Sequence, residues 1–149
     1  MNIGTRIHTW LNGRLVGRDG AGNVYAADTD NDRIVRLTPG GAQSVVPMTG
    51  VQRPGSIATD TAGNLYVTSY DPGRVVEVLA AGGQIDLPFT GLVHPGRIDV
   101  DLRGNVYVVD TDKEAVLEWN PSTGAQTTLG FSGIYDADGL AVDDSGNVY

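Results

Sequence analysis

The sequence predicts an all-β protein in which four-stranded antiparallel sheets repeat along the chain as the blades of a partial β-propeller. The tetrapeptide Gly-Asn-Val/Leu-Tyr occurs four times in 149 residues, at successive intervals of 41, 41 and 42 residues. Turn-forming residues interrupt the chain every eight to twelve positions, and the segments between them alternate apolar and polar residues as strands do. A fixed period of this size is typical of stacked supersecondary units, none of which can bury its apolar surface alone.

The first predicted strand of each unit runs into an aspartate, and Gly-Asn follows after two intervening residues. Asp favours the first position of a turn, and Gly and Asn tolerate positive φ angles, so the pattern Asp-x-x-Gly-Asn predicts a tight hairpin between two strands. The second strand then begins within the tetrapeptide. First strands are expected at residues 16–19, 57–60, 98–101 and 140–143, and second strands at 23–28, 64–69 and 105–110.

A short polar loop separates the second strand from a third strand of alternating character. In the second unit Val76 and Val78 fall on one face and Glu77 on the other, and the first and third units repeat this pattern. A turn that contains glycine leads to the fourth strand. Third strands are expected at residues 33–37, 74–78 and 115–119, and fourth strands at 44–48, 85–89 and 127–131.

Four short strands with four short connections fill a unit of 41 residues at the lengths that strands and loops usually have. Helical repeats of similar period need runs of good helix formers at 3.6-residue spacing, which this sequence lacks. Four-stranded antiparallel sheets that repeat radially form a β-propeller.

The repeat resembles the NHL repeat. Residues 54–60 read Pro-Gly-Ser-Ile-Ala-Thr-Asp and precede Gly-Asn-Leu-Tyr-Val at 63–67. The next unit reads Pro-Gly-Arg-Ile-Asp-Val-Asp at 95–101 and Gly-Asn-Val-Tyr-Val-Val-Asp at 104–110. Residues 28–35, Asp-Thr-Asp-Asn-Asp-Arg-Ile-Val, are similar to the loop that links strands in this family. The WD40 repeat fits less well, because no pair of Gly-His and Trp-Asp occurs.

The resemblance implies a ring that is usually six-bladed, of which this chain would supply about three and a half blades. An open arc would expose apolar faces and strand edges at both ends. We therefore expect the remaining blades to come from a longer parent chain or from a second copy, and the break within a strand favours a longer parent. The expected divisions are the end of a preceding blade at 1–13, blades at 14–53, 54–94 and 95–136, and a truncated blade at 137–149.

The net charge of −8 and ten scattered Lys and Arg residues argue against nucleic acid or an anionic membrane as the partner. The absence of cysteine excludes disulfides and thiolate zinc sites. We expect neither a signal peptide in residues 1–10 nor an apolar run of the ~20 residues that a membrane helix needs. Composition does not identify the compartment, although the resemblance favours an extracellular or cell-envelope location.

The segment 28–32, Asp-Thr-Asp-Asn-Asp, is similar to the opening of an EF-hand calcium loop. The similarity then fails, because Arg33 stands where the glycine of the sharp turn belongs and Pro39 where the bidentate glutamate belongs. The segment also lies between two predicted strands and not between two helices. We therefore interpret it as a solvated loop and expect no metal site and no cofactor.

No catalytic residue is predicted. The two histidines, His8 and His94, lie 86 positions apart, and a catalytic zinc site needs three protein ligands. The sequence also contains no cysteine nucleophile, no Gly-x-Ser-x-Gly turn and no phosphate-binding loop. Enzymatic propellers similar to this family, such as streptogramin lyase, use His, Glu or Asn residues around the central channel, and no such group can be assigned here.

The candidate binding residues lie on one end of the predicted sheets. With strands running alternately up and down, the loops between second and third strands share an end with the linkers between blades; we call this end the loop face. Binding residues concentrate on loops that a rigid scaffold carries. The candidates there are Asp28, Asp30, Asp32, Arg33, Arg53, Tyr70, Asp71, Arg74, His94, Asp110, Asp112, Lys113, Tyr135 and Asp136.

The function expected first is a non-catalytic binding or sensor module for a protein, peptide or small ligand, within a bacterial envelope protein. Residues 87–92, Leu-Pro-Phe-Thr-Gly-Leu, are similar to the extracellular NHL domain of actinobacterial receptor Ser/Thr kinases, which implies such a kinase as the parent. The alternative is a fragment of a propeller lyase or hydrolase whose catalytic residues lie in further blades. An RNA-binding NHL domain is disfavoured by the acidic charge.

Overall fold

Three four-stranded antiparallel sheets follow one another along the chain in the computed structural model, which describes residues 16–135 and 137–149. No α-helix occurs in these residues, so the predicted all-β fold is confirmed. The end of a preceding blade, expected at residues 1–13, lies outside the described residues. Blade 1 comprises β1 (Val16–Arg18), β2 (Val24–Asp28), β3 (Arg33–Leu37) and β4 (Gln43–Val45); blade 2 comprises β5 (Pro54–Thr59), β6 (Leu65–Ser69), β7 (Arg74–Val78) and β8 (Gln84–Asp86); blade 3 comprises β9 (Pro95–Val100), β10 (Val106–Asp110), β11 (Ala115–Asn120) and β12 (Ala125–Thr128).

A fourth unit begins after blade 3. Val142 and Val148 form an isolated antiparallel bridge around a turn of the same kind as those in the blades. In blade 1 a short 3-10 turn, Thr29–Asn31, connects β2 to β3. The chain therefore contains three complete blades and part of another, as the repeat predicts.

The repeated Asp-x-x-Gly-Asn-x-Tyr pattern closes each first hairpin with its own side chains. Asp101 accepts hydrogen bonds from the backbone N–H of Asn105 (2.9 Å), from the Asn105 amide (2.7 Å) and from the Tyr107 hydroxyl (3.3 Å). Asp19, Asp60 and Asp143 bind their own Asn and Tyr in the same way. The glycine in each turn has a φ between 82° and 85°, a conformation in which a side chain would be strained.

The fourth strands differ from the prediction. They begin one or two residues earlier than expected and end three residues earlier. Beyond each strand a single further backbone bond continues the pairing, as from Val46 N to Ile34 O (2.9 Å) and from Leu87 N to Val75 O (2.9 Å). Pro47 and Pro88 then follow in the sequence, and proline has no N–H to extend a ladder. The apolar pattern beyond the strand belongs to packing between blades and not to strand pairing.

The core lies between blades. One cluster joins blades 1 and 2 and includes Ile34 and Val76, and the other joins blades 2 and 3 and includes Val75 and Ile98. The neighbours Val75 and Val76 are both fully buried because they point to opposite faces of the middle sheet. Burying each aliphatic side chain contributes roughly 1.5–3 kcal/mol, so association of the blades stabilises the fold.

Threonine hydroxyl groups of one blade bind the first strand of the next blade. The Thr68 hydroxyl donates to the carbonyl of Gly96 in blade 3 (2.9 Å) and accepts from the N–H of Ser56 (2.9 Å). Thr29 likewise donates to the carbonyl of Pro54 in blade 2 (2.8 Å). These bonds fix the start of each incoming strand, from which the linkers of the loop face extend.

Candidate functional site

The loops and linkers assigned to the loop face are in contact with one another. Tyr70, which follows β6, donates its backbone N–H to the carbonyl of Arg53 in the linker between blades 1 and 2 (3.4 Å). Thr111, which follows β10, makes the equivalent bond to His94 (3.1 Å). Asp32 Oδ1 of blade 1 accepts the N–H of Arg53 (2.7 Å). Loops of successive blades therefore form one continuous surface at this end.

Four side chains on this surface form a stacked row, which we call the Arg53–Asp112 column. The Arg53 guanidinium lies 5.0 Å from the centroid of the Tyr70 ring. Tyr70 stacks on His94 with ring centroids 4.2 Å apart and planes inclined by 9°. His94 Nδ1 lies 2.5 Å from Asp112 Oδ2. All four residues are among those predicted from the sequence.

The last residue of each second strand holds the linker that carries the column. Asp110 is fully buried, and its carboxylate accepts the N–H groups of Val93 (2.8 Å) and His94 (3.2 Å). In blade 2 the Ser69 hydroxyl binds both the N–H and the carbonyl of Gln52 (3.1 and 3.0 Å). The sequence predicts Asp110 to be an exposed binding residue, but the structure buries it, and its carboxylate instead holds the backbone at His94 in place.

The acidic loop after β2 is organised by internal bonds. Asp28 accepts hydrogen bonds from Asn31 (2.8 Å) and Arg33 (2.6 Å), and Asp30 is exposed. Partial burial acts to raise the pKa of Asp28, but the bonds from Asn31 and Arg33 outweigh it and hold the pKa below its ordinary value. Among the described residues no three His, Asp or Glu side chains lie close enough together to hold a metal ion.

Arg74 is occupied by contacts within the protein. Its Nη1 lies 2.8 Å from Asp86 Oδ2, and its Nη2 donates to the carbonyls of Thr49 (3.2 Å) and Gly50. The guanidinium thus ties β7 and β8 to the linker that leaves blade 1. The structure does not bring Arg74 into the column.

The other predicted residues that the structure describes are not members of the column. Asp71 and Lys113 are exposed, and 71% of the Tyr135 surface is accessible. Asp136 lies outside the described residues. The column therefore offers a cation, a phenol, an imidazole and a carboxylate in a single row, an arrangement that can bind a ligand by stacking, hydrogen bonds and charge.

Sequence reasoning did not single out Arg36 as a functional residue. It pairs with Tyr25 across β2 and β3, as Glu77 pairs with Tyr66 and Glu118 pairs with Tyr107. Alignment of the repeats could have identified Arg36, because the equivalent residues of blades 2 and 3 are the glutamates Glu77 and Glu118. Arg36 lines a cavity at the end opposite the loop face.

Comparison with known proteins gives structural neighbours only. No family model matches the chain, and no curated protein matches it. A nidogen/laminin complex structure has a TM-score of 0.76 and 24% identity over 86% of this chain and 51% of that chain. A streptogramin B lyase structure has a TM-score of 0.70 and 15% identity over 89% of this chain and 45% of that chain. A catalytically inactive virginiamycin B lyase from Staphylococcus aureus with quinupristin has a TM-score of 0.68 and 16% identity over 91% and 54%.

The chain spans about half the length of these structures. Within residues 16–135 and 137–149, no helix has the length and apolar character needed to cross a membrane. At these identities the neighbours report on architecture and not on activity. The sheets, their order along the chain and the structural neighbours together make this a propeller-type protein with antiparallel blades.

Proposed function

We propose that this chain is a non-catalytic binding module that takes a protein, peptide or small ligand on the loop face. The observation that carries the proposal is the Arg53–Asp112 column. Arginine and tyrosine dominate the binding energy of many interfaces, and here they lie side by side on a surface that rigid strands support. The exposed carboxylates around them favour a ligand with cationic or hydrogen-bond-donating groups.

The hydrogen bonds that Asp110 makes to the linker of the column favour recognition by a preorganised surface. Because buried Asp110 fixes the backbone at His94, little conformational entropy would be lost when a ligand contacts this residue. The likeness to the nidogen/laminin structure, whose name describes a protein complex, agrees with a protein or peptide as the ligand. The proposed context is an NHL-type sensor domain in a bacterial envelope protein such as a receptor Ser/Thr kinase, on the motifs at 54–67 and 87–92.

The proposal can be tested by selecting peptides from a displayed library for binding to the immobilised protein. Selected peptides are titrated against the wild type, Tyr70→Ala and Arg53→Ala, with Leu102→Ala as the control. Leu102 is 62% exposed in the first hairpin of blade 3, at the opposite end of the molecule. We expect the two loop-face variants to lose about tenfold or more in affinity and the control to bind as the wild type does. Peptides that bind all four proteins equally would contradict the proposal.

A second candidate is a fragment of a propeller lyase. The observation in its favour is the contact of His94 with Asp112, since an imidazole beside a carboxylate is a common general base. Incubation of the chain with a streptogramin B antibiotic, followed by mass spectrometry, tests this candidate. Turnover that His94→Ala abolishes would favour the lyase over the binding module.

A further inference from the structure

A cavity lies between blades 1 and 2 at the end opposite the loop face. Its volume is about 450 Å³, and the hairpin turns of both blades form its mouth. Binding sites for small molecules usually measure about 300–1,000 Å³. The cavity is separate from the Arg53–Asp112 column, and none of the column residues lines it.

One position on the cavity wall differs in size between blades. Val78 pairs with Leu65 in blade 2, and Trp119 pairs with Val106 at the equivalent position of blade 3. Trp119 packs into the cluster between blades 2 and 3. Val78 lines the cavity between blades 1 and 2, and its side chain is smaller than the indole at the equivalent position of blade 3.

The charge at the cavity also departs from the repeat. In blades 2 and 3 a glutamate accepts the hydroxyl of the paired tyrosine, as from Tyr66 to Glu77 (3.2 Å) and from Tyr107 to Glu118 (3.3 Å). Arg36 occupies this position in blade 1 and lines the cavity. Among the described residues no carboxylate lies within ion-pair distance of Arg36.

Three of the other polar residues of the wall, Asp19, Asn23 and Tyr25, are hydrogen-bonded to one another. Asp19 accepts hydrogen bonds from Asn23 (2.7 Å) and Tyr25 (2.9 Å), and these bonds hold the pKa of Asp19 below its ordinary value against the opposing effect of burial. Val46, Leu65 and Leu79 supply an apolar wall. An apolar wall with an unpaired cation at its edge is complementary to an amphipathic anion.

The geometry points to a binding site for a small organic anion with an apolar body, held between blades 1 and 2 with its carboxylate or sulfonate at Arg36. This site lies apart from the loop face and does not depend on the function proposed for that face. Its ligand would bridge two blades, so binding would also stabilise their association.

Fluorescence titration with two probes tests the site. The anion 8-anilinonaphthalene-1-sulfonate has both features of the proposed ligand, and N-phenyl-1-naphthylamine has the aromatic body without the charge. The variants are Arg36→Glu, which restores the residue type of the other blades, and Val78→Trp, which fills the cavity as in blade 3. Arg103→Glu is the matched control, because Arg103 is exposed in the hairpin of blade 3 and its replacement changes the net charge equally.

We expect Arg36→Glu to weaken binding of the sulfonate about tenfold and to leave binding of the neutral probe unchanged. Val78→Trp should abolish binding of both probes, and Arg103→Glu should alter neither. The inference is overturned if the wild type binds neither probe, if both charge reversals act equally on the sulfonate, or if folded Val78→Trp binds as the wild type does. Should circular dichroism show that Val78→Trp does not fold, the two exposed arginine variants decide the question alone.

Discussion

The ring of Tyr70 lies flat against the imidazole of His94, with centroids 4.2 Å apart and 9° between the planes. Tyr70 follows the second strand of blade 2, and His94 ends the linker into blade 3. Threonine stands at the positions equivalent to Tyr70 in blades 1 and 3. The stacked pair is therefore a departure from the repeat at a boundary between blades.

Replacing Tyr70 with alanine should cost about 0.5–1.5 kcal/mol of unfolding free energy, because the stacking on His94 is lost. The ring protons of His94 should move downfield in the NMR spectrum as the ring current of Tyr70 disappears. Urea unfolding and proton spectra measure the two effects. Tyr135→Ala serves as the control, since Tyr135 is 71% exposed. Unchanged His94 resonances in Tyr70→Ala would contradict the stacked arrangement.

The hydrogen bonds that the repeated aspartate makes within its hairpin should contribute most to stability where the aspartate is buried. Asp101 is 7% exposed, and its replacement with alanine leaves the backbone N–H and the side-chain amide of Asn105 without their acceptor, whereas the Tyr107 hydroxyl keeps Glu118. We expect a loss of about 2–4 kcal/mol, because two N–H groups of Asn105 lose their acceptor and each buried unsatisfied group costs roughly 1–3 kcal/mol. Asp143 makes the same bonds near the exposed end of the chain, where water can replace them. Equal losses in Asp101→Ala and Asp143→Ala, measured by urea unfolding, would show that burial is not the cause.

Stability should fall in alkaline solution as buried tyrosines ionise. Burial, with the charges of Glu118 and Asp101, raises the pKa of Tyr107 from 10.0 to about 12. The unfolded chain loses this proton first, so the contribution of Tyr107 is complete below pH 10 and is lost as the pH rises towards about 12. Urea unfolding at pH 9, 10 and 11 measures the decline. Tyr107→Phe should make the decline shallower, and an identical slope in this variant would refute the assignment.

Gly73 should be intolerant of even a methyl group. A Cβ atom there would lie 2.5 Å from the carbonyl oxygen of Val93 and 2.8 Å from that of Leu92, so Gly73→Ala must displace the linker that carries His94. We expect a loss of about 1–3 kcal/mol, together with altered His94 resonances. Gly40→Ala is the control, because the nearest atom, Thr38 Oγ1, is 3.9 Å away. Equal stability of Gly73→Ala and Gly40→Ala would contradict the prediction, because it would show that the linker at Leu92 and Val93 can move away from the added methyl group without cost.

The blades could be predicted from the sequence because the residues that define them act locally. Asp19, Asn23 and Tyr25 form their hydrogen bonds within six positions of one another. Gly22 in the same turn adopts a φ of 84°. Each side chain of the repeated motif therefore has a role inside its own hairpin, and the motif alone specifies where a strand ends and the next begins.

The arrangement of the loop face could be predicted only in part. Chain direction placed Tyr70 and His94 at the same end, but their stacking depends on how closely two blades approach. Contacts between blades also account for Arg74, whose guanidinium reaches carbonyls of the preceding linker, and for Asp110, which is buried beneath the next one. No pattern within a single unit of 41 residues carries that information.

The Arg53–Asp112 column takes its members from the loops after β6 and β10 and from the linkers before β5 and β9, so it spans the boundary between blades 2 and 3. A rotation of blade 3 against blade 2 would separate the rings of Tyr70 and His94, which belong to the two sides of that boundary. On the binding function that we propose, a ligand in contact with Tyr70 and His94 would hold blades 2 and 3 in one relative orientation.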